Sequence, residues 1–211
     1  MMTPSDIKTL YQQEGYVVVP GLLGTHKQVL DLRRAAERVI QRTRQGDWPH
    51  RRPVGRQFPP YDAEEKDVWG VQHLMHPDLH ESSFSAWYTS DGLLNVIKEL
   101  LGCQDGDLQM ELFNLLINPV SHDFALRWHR DDIPDDATEE EEHKALNVWH
   151  HGVQWNTALY EDACLLIVPR SHKYPRTQEQ REKSSGFTLD DPLDMPGSIR
   201  TTLQRMYLDS I

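Results

Sequence analysis

An α+β fold follows from two features of this sequence. Apolar residues recur at helical spacing through the first half, and apolar runs bounded by turn residues replace them after Gly106. Helices first and strands afterwards predict a layered domain whose strand-rich half can form a sandwich or barrel. The expected division is about 1–105 mainly helical and 106–203 mainly strands, within one domain spanning 1–211. No internal repeat is visible.

The elements follow in order. Thr3 is suited to cap a first helix that has Pro4 at its first position, Ile7, Leu10 and Tyr11 as its apolar stripe, and Gly15 as its left-handed end. Tyr16-Val17-Val18-Val19 reads as a short strand stopped by Pro20-Gly21. A second helix is expected from about Thr25 to Arg44, with Val29, Leu32, Ala36, Val39 and Ile40 on one face. Gly46 to Tyr61 is a loop whose basic cluster is His50, Arg51, Arg52 and Arg56, read as solvated. Asp91-Gly92 opens a third helix that buries Leu93, Leu94, Val96, Ile97, Leu100 and Leu101, with Gly102 as its C-cap. Five strands are then expected: a long buried one over Leu108–Ile117, then Phe124–Arg130, Gly152–Leu159, Cys164–Val168 and Ser198–Leu203. Between the second and third lies an acidic run with eight carboxylates in the twelve residues from Asp131 to Glu142. Thr138-x-x-Glu141 is a capping box, so this run reads as a solvated loop entering a short helix.

Composition narrows the function. Hydrophobic residues make up 38% and charged residues 26%, an ordinary globular mix. The formal charge of −11 lacks the basic footprint of a nucleic-acid binder. No apolar run approaches bilayer length, and the first residues have no basic-then-apolar leader pattern. Cys103 and Cys164 make neither a metal-type pair nor a disulfide framework, which is the pattern of an intracellular, cytoplasmic protein. The oligomeric state is not legible.

The residues with the clearest chemistry are Trp128-His129-Arg130-Asp131-Asp132. The literal His-Arg-Asp of a kinase catalytic loop is present, but position 136 is Asp where that motif needs Asn, and no glycine-rich loop or Asp-Phe-Gly accompanies it. Two readings stay open. One is a local His–Asp salt bridge. The other is metal ligation: side chains at i and i+2 of a strand share a face, and an imidazole with a carboxylate is two-thirds of the facial triad that holds non-haem Fe(II). A metal-dependent hydrolase is a weaker form of the second, since no HxxxH set is present.

Four blocks in order resemble the phytanoyl-CoA dioxygenase family. Glu14-Gly15-Tyr16-Val17-Val18-Val19-Pro20-Gly21 is similar to the family's opening, and Trp128-His129-Arg130-Asp131 to its HxD step. Val153–Leu159 followed by Cys164–Lys173 resembles the segment ending in Pro-Gly-Ser-His, with Arg170 in the place of Gly, and Met195-Pro196-Gly197-Ser198 resembles the start of a later strand. The resemblance implies N-terminal helices packed on a double-stranded β-helix, a jelly roll. It implies an Fe(II)- and 2-oxoglutarate-dependent dioxygenase that uses O₂ to hydroxylate a small organic substrate. His129 and Asp131 would be metal ligands; Asn114, Trp155 and Asn156 are the cofactor-binding candidates, with Trp155 and Asn156 rivals for one strand face. The family's distal His, and the Arg that meets 2-oxoglutarate, have no counterpart before Ile211. The expectation is therefore an incomplete, C-terminally truncated jelly roll, with a catalytically inactive binding or regulatory remnant as the alternative function.

Overall fold

In the computed structural model, which describes residues 3–54, 67–123, 125–131, 133–148, 152–185 and 195–201, the elements are α1 (Pro4–Glu14), α2 (His26–Arg44), β1 (Arg51–Pro53), β2 (Val68–Val71), α3 (Ser82–Tyr88), α4 (Asp91–Leu101), β3 (Leu115–Leu116), α5 (Glu139–Leu146), β4 (Leu166–Ile167), α6 (Gln178–Ser185) and β5 (Ile199–Arg200). The fold is mixed: helices with small antiparallel sheets, and no closed barrel among the described residues. The chain divides into two compact units. One takes Met1–Gly21, Asn95–Cys103 and Ala125–Ile211; the other takes Leu22–Leu94 and Gln104–Phe124.

In the first unit, α1 begins where its cap predicts. The Thr3 hydroxyl accepts the Asp6 amide while the Asp6 carboxylate accepts the Thr3 amide, at 3.2 and 2.9 Å. Gly15 ends the helix at φ 83° with its amide on Tyr11 O. Glycine is required there twice over, because a Cβ would strike the His172 ring and the backbone is left-handed. The Arg170 amide donates to Glu14 O at 2.7 Å, tying the helix end to a late turn. β4 and β5 pair antiparallel, Leu166 with Arg200 and Ile167 with Ile199.

The second unit is built on α2. Thr25 caps it, and its buried side is Leu32, Ala35, Ala36, Val39 and Thr43. It packs on α3 and β2, and Arg38 grips the Glu81 carboxylate with two bonds of 2.6 Å. β2 is the middle strand of β1-β2-β3 and is buried on both faces. Trp48, Phe84 and Trp87 complete this core, each 2% exposed. Asp67, just before β2, accepts the amides of Val120 and Ser121 at 2.6 and 2.9 Å and meets His122 Nδ1 at 2.7 Å.

The strand expectations need correction. Tyr16–Val19 has no regular secondary structure and pairs in no described ladder. Of Leu108–Ile117, only Leu115–Leu116 is strand, although Phe113 O and the Ile117 amide continue the pairing to Leu74 and Trp69. That stretch is not buried: Met110, Leu112 and Leu116 are each more than half exposed. The described parts of Phe124–Arg130 and Gly152–Leu159 contain no strand. Apolar alternation signals that a strand is suitable, but a strand also needs a partner edge, and local side-chain bonds can take that place. Cys164–Val168 shrinks to β4, and the described part of 198–203, which ends at Thr201, contains β5. Arg56 and Asp132 lie outside the described residues.

Candidate metal centre

His129 and Asp131 lie in the first unit, on an irregular segment whose turn is closed by a bridge between Arg130 and Ile133. They come together without a strand. His129 Nε2 stands 3.3 Å from Asp131 Oδ1. His129 Nδ1 lies 2.7 Å from Arg127 O, where it donates as N–H. In the neutral ring that bond selects the Nδ1–H tautomer and leaves the Nε2 lone pair facing the carboxylate. Two adjacent ligands about 2.0–2.2 Å from one first-row cation are separated by roughly 3 Å, so the donor pair fits a metal ion. Both side chains are exposed, 41% and 58%, open to an incoming ion and equally compatible with a local ion pair.

The other predicted residues fall as follows. Trp155 and Asn156 belong to the first unit, on a stretch without regular secondary structure where Val153, Trp155 and Thr157 are partly covered and Gln154 and Asn156 exposed. Asn114 belongs to the second unit, where its Oδ1 accepts the His73 amide at 3.3 Å. Of the remaining histidines, His143 is exposed on α5, and His172 Nε2 meets Gln12 O at 3.1 Å. His150 and His151 lie outside the described residues. Among the described residues, no group of three His, Cys, Asp or Glu side chains is placed to hold a metal.

What the sequence reading missed is the fastening of this segment. The acidic run is not uniformly solvated. Glu142 is fully buried, with no exposed surface; its carboxylate accepts Arg176 Nε at 2.5 Å and the Arg176 amide at 2.6 Å, and Arg181 Nη2 stands 3.2 Å away as an ion pair without a hydrogen bond. Arg176 Nη2 donates to Pro134 O and Asp135 O at 3.2 and 3.0 Å, and Arg181 Nη1 to Ala137 O. Arg130, between the two candidate ligands, sends Nη1 to Ser171 O at 2.8 Å and Nη2 to Tyr174 O at 2.9 Å. Burial pulls the Arg130 guanidinium down; Glu142 raises it, and Arg176 and Arg181 lower it further. Arg127 pairs with Asp135 across the same turn. One clue was available: Glu142 shares the helix face of Ala145 and Leu146.

No described helix is long and apolar enough to cross a membrane. Among known proteins, the family described as phytanoyl-CoA dioxygenase (PhyH) matches over residues 11–202. Comparison with curated proteins and with solved structures returns no significant match.

Proposed function

This chain belongs to the phytanoyl-CoA dioxygenase family, a family of oxygenases, and we propose that it is an Fe(II)- and 2-oxoglutarate-dependent dioxygenase that hydroxylates a small organic substrate. The observation that carries the reading is the pair itself: an imidazole nitrogen, freed by the tautomer that Arg127 O selects, facing a carboxylate oxygen at 3.3 Å. His129 Nε2 and Asp131 Oδ1 would hold the metal on one face and leave the opposite positions to co-substrates. When bound, iron with 2-oxoglutarate and O₂ supplies the oxidising chemistry; the protein supplies position and exclusion of water. The backbone carbonyl behind His129 keeps its ring oriented through ligand exchange. Trp155 and Asn156 remain the rival contacts for 2-oxoglutarate, whose carboxylates need a hydrogen-bond donor such as the Asn156 amide or the Trp155 indole N–H.

A second reading, a binding domain without catalysis, is favoured by one observation: no third ligand converges with the pair among the described residues. The test is anaerobic titration with Fe(II) and 2-oxoglutarate, followed by assay of succinate. The expected result is a weak visible charge-transfer band and conversion of 2-oxoglutarate, both lost in His129→Ala and Asp131→Ala. Absence of both signals in the wild-type chain selects the binding domain. Unchanged metal affinity in both variants shows that the ligands lie elsewhere.

A further inference from the structure

We infer that Glu142 is a positioning residue for the His129–Asp131 pair, acting through Arg176 and Arg181 on the backbone that follows it. The inference rests on the metal-binding reading above. Nothing in a sheet holds this segment: among the described residues its one β-bridge is the local contact of Arg130 with Ile133. Its order comes from guanidinium groups instead. Three points on the chain leaving it, the carbonyls of Pro134, Asp135 and Ala137, are taken by Arg176 and Arg181. The residue between the two ligands, Arg130, is tethered to the carbonyls of Ser171 and Tyr174.

These cations need a counter-charge. Arg176 has a side chain only 9% exposed and Arg181 one 20% exposed, and the carboxylate they share has 0% exposure. Glu142 is therefore the hub. Without its charge two crowded guanidinium groups face each other and Arg130 uncompensated, and leaving a buried ion unpaired is strongly unfavourable. The guanidinium groups would turn to water and release the three carbonyls. The turn carrying Asp131 would then lose its fixed distance to His129. Partners one layer behind the ligands typically set about 10- to 100-fold of metal affinity.

The experiment uses the full chain, Co(II) as an oxygen-stable probe, and amide hydrogen exchange. Glu142→Gln keeps the shape and one acceptor but removes the charge. The expected result is Co(II) affinity lowered about 10- to 100-fold and faster exchange of the amides of 133 and 135–137, with α2 amides unchanged. Arg181→Lys is the second variant. It keeps a cation beside Glu142 but loses the grip on the Ala137 carbonyl, and a weakening in the same direction is expected; it decides the matter if Glu142→Gln unfolds. Unchanged affinity in the folded variants overturns the inference, whether or not exchange changes. If the wild-type chain binds no Co(II), the metal reading fails separately. Exchange alone then judges Glu142: faster local exchange upholds its hold on the segment, and unchanged exchange overturns it.

Discussion

Arg170 stands at φ 67°, in backbone territory that glycine enters freely and branched residues resist. It occupies the place where the resembling family segment carries glycine, and its conformation supplies the physical reason for that preference. Here arginine is kept by what it touches: its amide donates to Glu14 O, and its guanidinium meets the Glu14 carboxylate at 3.1 Å. Arg170→Gly and Arg170→Val both lose the ion pair, so the difference between them reads the backbone alone. The valine variant is expected to melt roughly 2–4 °C or more below the glycine variant. Equal melting points, followed by circular dichroism, would show that the turn is not held left-handed. Residue scale is also where the candidate site was half legible. His129 and Asp131 announce themselves by chemistry and spacing. Glu142 does not, because its partners Arg176 and Arg181 lie 34 or more positions away and a run of glutamates ordinarily faces water.

Elements were legible where their signals are local. The Thr3, Thr25 and Thr138 caps, the left-handed Gly15 and Gly102, and the apolar face of α2 fix helices using residues within one or two turns. Strands were not, because pairing is decided by a distant edge; Met110 and Leu112 have strand-like character and no partner among the described ladders. One acidic side chain makes such a distant join. Burial pushes the Asp67 carboxyl up, but the Val120 and Ser121 amides and the His122 imidazole outweigh it and hold it below the usual carboxylate range. A carboxyl lowered on folding stabilises the native state above its unfolded pKa, and that stability fades as pH falls through the folded value. Asp67→Asn should therefore cost about 1.5–3 kcal/mol at pH 7. The gap to wild type should close below about pH 4. Urea unfolding at pH 7, 5 and 3 measures it; a gap undiminished at pH 3 would mean the charge is not what matters.

At the scale of the molecule, a ligand that binds only the folded form adds to stability by mass action. Co(II) at about 100 times its Kd should contribute about 2.7 kcal/mol, which for a chain of this length raises Tm by roughly 5–11 °C. Calorimetry on wild type and His129→Ala checks this; an equal shift in both would place the ion away from His129. A mixture of helices and antiparallel strands was legible in outline, but its expected order was not: β1 and β2 lie in the first half and α5 and α6 in the second. The interleaving of two units was not, because periodicity carries no information about which segments meet. That interleaving has a consequence for synthesis. Glu14 and Arg170, which join α1 to its turn, are 156 positions apart. At about 5–20 residues per second, roughly 8–30 s pass between the emergence of the two. Helix α1 thus leaves the ribosome well before the turn that docks it, and its apolar stripe is a natural client for a holding chaperone throughout that interval.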